Sequence, residues 1–104
     1  MAKFKIIVEI TAVSDLRGIL RYITETLKEP AIARRIYYSI KEQIMTLDKM
    51  PLRHPLVLDK SFAARGLRKM PAENYSVFYR ADEDRKEVHV LRVLYNRREW
   101  RNLL

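Results

Sequence analysis

The sequence has no cysteine, two glycines and two histidines in 104 residues. Without cysteine there is no disulfide, no thiolate metal site and no cysteine nucleophile. The glycines, Gly18 and Gly66, stand far apart, so a glycine-rich phosphate loop cannot be built. His54 and His89 alone argue against a zinc site, and neither a metal nor a cofactor is expected. Long apolar runs are missing as well. No stretch approaches the roughly 18 residues that a membrane span needs. The first ten residues alternate charged and apolar side chains, where a signal peptide would be continuously apolar. The expectation is a cytoplasmic protein with no membrane partner, and the cysteine count fits it.

What the chain has in excess is positive charge. It carries 21 Lys+Arg against 13 Asp+Glu, a net charge of +8, which points to an anionic partner such as nucleic acid or an acidic protein. Hydrophobic residues make up 48%, enough for a core and too many for a disordered chain. The length suits one domain spanning 1–104. Residues 1–50 hold 9 basic and 6 acidic groups, and residues 51–104 hold 12 basic and 7 acidic. Nine of those 12 are arginine, whose planar fork binds phosphate and carboxylate and keeps its charge in any setting.

Phe4, Ile6, Val8 and Ile10 recur with period two, which predicts a strand near 3–10 with one face buried. Ser14 reads as an N-cap, followed by an amphipathic helix over 15–28 with Leu16, Ile19, Leu20, Ile23 and Leu27 at helical spacing. Pro30 fits the first turn of a second helix, with Ile32, Ile36, Ile40, Ile44 and Leu47 along one face of 31–49 and Pro51 ending it. The short break between the two predicts a helical hairpin. Residues 51–61, with Pro51 and Pro55, read as a loop, followed by strands over 65–70, 74–80 and 87–95. The last two strands flank a charged turn at 81–86 and so form a hairpin. The predicted fold is α+β: an N-terminal strand, a helical hairpin, then three strands, all in one antiparallel sheet packed against two helices.

That element order resembles the RelE/ParE superfamily of bacterial type II toxins, the plasmid-stabilisation toxins. The resemblance is carried by Tyr22-Ile23 in the first helix, by Ile40, Ile44, Leu47 and Met50-Pro51 at the end of the second, and by Gly66-Leu67-Arg68. It is strongest in Tyr75-Ser76-Val77-Phe78-Tyr79-Arg80 and in the run from Val88 through Leu91-Arg92-Val93-Leu94-Tyr95-Asn96-Arg97-Arg98-Glu99-Trp100. The resemblance covers nearly the whole chain. It implies a growth inhibitor held inactive by a cognate antitoxin, whose acidic, extended segment would wrap the basic toxin, with Leu103-Leu104 and a sheet edge as contacts. RelE-like relatives cut mRNA on the ribosome, and ParE-like relatives poison DNA gyrase. A third outcome is a degenerate toxin that only binds its antitoxin.

Metal-free RNA cleavage by the 2′-hydroxyl needs a base for the 2′ proton, an acid for the leaving oxygen, and cations for the charged phosphorane. The resemblance puts Arg68 at the position of a functional arginine, and Arg97 or Arg98 near the C-terminal arginine that relatives set against phosphate. Tyr95 stands where relatives often carry histidine, as an acid or base or as a stacking platform for a base. Arg65, Arg80 and Arg92 read as RNA contacts. His89, six residues from Tyr95 along one strand, is about 20 Å away and reads as structural or surface. His54 reads as a loop residue. The tail offers only Glu99 as a further acid or base, and Trp100 reads as packing onto the sheet. These residues lead to a ribosome-dependent mRNA endonuclease as the first expectation, with a gyrase inhibitor lacking chemistry of its own as the alternative.

Overall fold

The computed structural model describes residues 3–104. Strand β1 (Lys5–Val8) leads directly into helix α1 (Ile10–Arg21), which continues through a π-helical turn at Tyr22–Thr26. Helix α2 (Pro30–Met45) ends in a 3-10 turn at Thr46–Asp48. A second 3-10 turn at Pro51–Arg53 and a short helix α3 (Lys60–Ala64) precede β2 (Arg68–Ala72), β3 (Tyr75–Asp82) and β4 (Glu87–Tyr95). The sheet order is β1-β4-β3-β2. The α+β class, the helical hairpin and all four strands are as the sequence predicts.

One part of that expectation is corrected. The sheet is mixed rather than wholly antiparallel, because β1 runs parallel to β4, with Lys5 opposite Glu87 and Val8 opposite Val90. The alternation of side chains along a strand is the same for either direction. Direction is set by the connection, which here contains both long helices and two further strands.

The first helix also starts earlier than expected. It begins at Ile10, and Ser14 lies inside it. The reason lies in β4, which extends past the end of β1. There α1 takes over the sheet edge: Thr11 Oγ1 donates to the Leu91 carbonyl at 2.7 Å, and Asp15 accepts the Val93 N–H at 2.9 Å. Residues four apart share a helix face, so one side of α1 satisfies backbone groups that a fifth strand would otherwise take. Lys28, at φ +56°, breaks the helix in the left-handed region, and Pro30 opens α2 at its first turn.

The segment predicted as a loop over 51–61 is more ordered than that. The Arg53 guanidinium donates to the carbonyls of Thr46, Lys49 and Met50, and the Tyr79 hydroxyl donates to the Pro51 carbonyl. Asp59 caps α3, accepting the Ser61 and Phe62 N–H groups. Gly66, at φ +83°, then turns the chain toward β2, a conformation that glycine adopts without a Cβ penalty. The strand expected at 65–70 consequently starts at Arg68.

The main core lies between the sheet and the two long helices and includes Leu16, Ile40, Ile44, Leu47, Val77, Tyr79, Val88 and Val90. A second, smaller core lies on the other sheet face. There Val57, Leu67, Phe78 and Leu94 are covered by Phe62, Trp100, Leu103 and Leu104. Trp100 packs between Phe62 and Phe78, with ring centroids 5.3 and 5.2 Å away, as the sequence predicts. Leu103 and Leu104 belong to this packing.

Candidate functional site

Tyr95 closes β4 directly opposite Tyr75, the first residue of β3. Their rings meet edge to face with centroids 5.6 Å apart, a favoured aromatic geometry. The chain turns sharply beyond them: Asn96 N–H donates to the Asn74 carbonyl and Arg98 N–H to the Tyr95 carbonyl, both at 3.0 Å, while Ser76 Oγ donates to Asn96 Oδ1 at 2.7 Å. The turn places Arg98 at the mouth of a groove of about 770 Å³ between this end of the sheet and α1 with its π-helical turn. Ile19, Ile23, Leu27 and Ile36 line it with apolar surface, and Tyr22, Tyr75 and Tyr95 form a phenolic rim. Tyr22, Leu27 and Tyr95 are each about half exposed. Burial, and then the neighbouring Tyr95 and Tyr22 hydroxyls, push the Tyr75 phenol above its usual range, so it is neutral and available as a hydrogen-bond donor at neutral pH.

Asp15 faces the same groove, but its charge is spent internally. Its carboxylate accepts from Arg92 Nε at 2.7 Å and from a terminal Arg92 nitrogen at 2.8 Å. Arg92 donates its other terminal nitrogen to the Leu103 carbonyl at 2.8 Å. The paired carboxylate holds the Arg92 guanidinium even more firmly charged than usual. The donors of Arg92, expected from the sequence to contact RNA, here join α1 and the tail to β4.

The other predicted residues fall in separate places. Arg68 opens the edge strand β2, opposite Tyr79 in the middle of β3. Four residues of strand separate Tyr79 from Tyr75, about 13 Å along the sheet. There Arg68 donates to the carbonyls of His54 at 2.7 Å and Leu52 at 3.3 Å and fastens the 51–56 loop to β2. Arg65 and Arg80 share a cleft with Gly66, His89 and the acidic β3–β4 turn, Asp82, Glu83 and Asp84. Arg65 stacks on Phe62, its guanidinium 4.7 Å from the ring centroid. Arg97 is exposed and forms no ion pair among the described residues. The structure thus joins Tyr95 with Arg98 and Arg65 with Arg80, and it does not bring Arg68 to either pair.

Neither histidine is near the groove in the way an acid or base for Tyr95 would need. His54 lies under the loop with its Nε2 buried and unpartnered, and burial followed by the charge of Arg53 lowers its pKa. His89 sits between two carboxylates, Glu9 at the junction of β1 and α1 and Glu87 at the start of β4. No group of three or more His, Asp or Glu side chains among the described residues is arranged to hold a metal. No described helix is long and apolar enough to cross a membrane. The groove residues that sequence reasoning did not assign to the site are Tyr22 and Tyr75. Both had a usable signal: Tyr22 is a large aromatic beside the apolar stripe of α1, and Tyr75 heads a strand whose partner ends in Tyr95.

The fold has known counterparts. The fold is similar to that of the chromosomal ParDE toxin–antitoxin system from P. aeruginosa, with a TM-score of 0.73 and 21% identity, covering 89% of this chain and 96% of that one. It is also similar to the toxin–antitoxin complex RelBE2 from Mycobacterium tuberculosis, with a TM-score of 0.66 and 23% identity, covering 90% of this chain and 99% of that one. At these identities the likeness is one of fold. No curated protein matches the sequence. Residues 6–100 match the sequence model of the ParE toxin of type II toxin–antitoxin systems, parDE; the chain therefore belongs to the ParE toxin family.

Proposed function

We propose that the chain arrests growth as a ParE-like inhibitor of DNA gyrase, acting by binding, and that a cognate antitoxin with an acidic segment neutralises it. The observation that carries this reading is the separation of the residues that phosphodiester chemistry would need together. Arg68 is engaged with loop carbonyls, far from Tyr95 and Arg98. The groove itself suits recognition. Its lining combines apolar side chains, three tyrosines and Arg98, the composition of surfaces that anchor protein partners. Arg97 and Arg98 give its open end the positive charge that favours an acidic segment.

A second reading keeps one supporting observation. Tyr95 and Arg98 both line the groove, and a phenol and a guanidinium in one groove are a workable set for metal-free cleavage of mRNA on the ribosome. One experiment separates the two. Purified toxin is added in parallel to a gyrase supercoiling reaction and to a coupled translation reaction. Loss of supercoiling with accumulation of cleaved DNA–gyrase complexes, and intact mRNA, supports the gyrase reading. Cut mRNA with unaffected supercoiling overturns it, and no effect in either, with antitoxin binding retained, identifies a degenerate toxin.

A further inference from the structure

We propose that Glu9, His89 and Glu87 form a protonation-gated latch that fastens the β1–α1 corner to β4. His89 Nδ1 lies 3.0 Å from Glu9 Oε1, and Nε2 lies 3.1 Å from Glu87 Oε1. An ionised carboxylate only accepts hydrogen bonds, and a neutral imidazole donates from one nitrogen alone. Both contacts are satisfied together only by the imidazolium. In the neutral ring one nitrogen lone pair would face a carboxylate at about 3 Å, and one of the two contacts opens.

The position of the three residues gives the latch its consequence. Glu87 opens β4, and His89 lies two residues along it. Glu9 is the residue through which β1 passes into α1: its N–H donates to the Val90 carbonyl at 2.9 Å, and its carbonyl accepts the Val13 N–H of the first helical turn at 3.0 Å. The edge strand it terminates is only four residues long. The other charged groups around the ring do not substitute for the two glutamates. Arg80 is the β3 residue opposite His89, a like charge, and Arg65 lines the same cleft. Of the turn carboxylates in that cleft, Asp82, Glu83 and Asp84, Asp82 accepts the Arg85 N–H. The bond to Glu9 is the largest influence on the ring and holds its pKa above the usual value. The latch is therefore closed while the imidazolium and the two carboxylates are charged, and it opens as pH rises through the elevated pKa of His89. Opening frees the start of α1, the helix that seals the β4 edge through Thr11 and Asp15.

The test uses the full chain. Nitrogen-15 NMR of the imidazole follows His89 protonation with pH, and amide hydrogen exchange of Glu9 and Val13, corrected for the intrinsic pH dependence, follows the corner. The expected result is a His89 midpoint above that of a free imidazole and a ring protonated on both nitrogens below it, with amide protection falling at least tenfold as His89 deprotonates. His89→Gln abolishes this pH dependence, and Glu9→Gln lowers the His89 midpoint. Constant protection through the His89 titration overturns the latch. So does an unchanged midpoint in Glu9→Gln, the conservative variant that decides the matter if His89→Gln fails to fold.

Discussion

Asp15 makes three hydrogen bonds, two to the Arg92 guanidinium and one to the Val93 N–H, and both charged side chains are mostly buried. Removing one member of such a pair leaves the other charge without a partner, which costs more than the pair itself contributes. Asp15→Ala is expected to lose about 3 kcal/mol of stability in urea denaturation, because Arg92 keeps only the Leu103 carbonyl and the Val93 N–H is orphaned. A second residue tests function. Tyr95→Phe keeps the ring that meets Tyr75 edge to face and removes only the hydroxyl. Under the binding reading, growth arrest on induction without antitoxin is expected to persist in Tyr95→Phe. It is expected to weaken about tenfold in Tyr95→Ala, the equivalent of about 1.4 kcal/mol of contact. A Tyr95→Phe variant that no longer arrests growth would favour chemistry at the hydroxyl.

At the scale of elements, α3 and the tail support one another. Asp59 caps α3 through two N–H groups and also accepts from Arg101 Nε at 3.1 Å, while Phe62 of α3 packs on Trp100 of the tail. Asp59→Ala is expected to cost about 1 kcal/mol, the usual worth of a helix cap. Trp100 is the single tryptophan of the chain, so its fluorescence, shifting to longer wavelength as the tail loosens, reports the effect directly. The same elements show what could be read from the sequence. The strands of β3 and β4 and the two long helices were legible because periodicity reflects which face is buried. Helix α3 went unseen because five residues hold too little period to register, although Asp59 before it and Gly66 after it are ordinary start and stop signals. The early start of α1 was not legible, since it depends on how far β4 extends past β1, and neither was the parallel β1, since a strand's alternation is the same in either direction. The candidate groove divides likewise. The place of Tyr95 at the end of β4 was legible from the alternation of that strand, whereas the engagement of Arg68 by loop carbonyls and of Arg92 by Asp15 arises from residues distant in the chain.

At the scale of the whole molecule, the net charge of +8 governs encounter with partners. Association with an acidic antitoxin is expected to slow at least tenfold between low and high salt in stopped-flow measurements, while dissociation changes less. The two histidines set opposing pH trends. The folded pKa of His89 is raised, so its contribution is full below the unfolded value of about 6.5 and is lost as pH rises through the folded pKa. That of His54 is lowered, so its contribution is present above about 6.5 and is lost as pH falls through the folded pKa. Chemical denaturation is expected to show stability decreasing with rising pH through the neutral range in His54→Gln and decreasing with falling pH in His89→Gln. The strand order has a consequence for synthesis. β4 follows the other three strands in the chain, yet it lies between β1 and β3, so β1 waits for its partner until both long helices and two further strands have been made. Non-local pairing of this kind forms late. The groove is bounded by α1 on one side and by Tyr95 and Arg98 at the far end of β4 on the other, so a nascent chain lacks this surface until β4 and the turn after it have been made and docked.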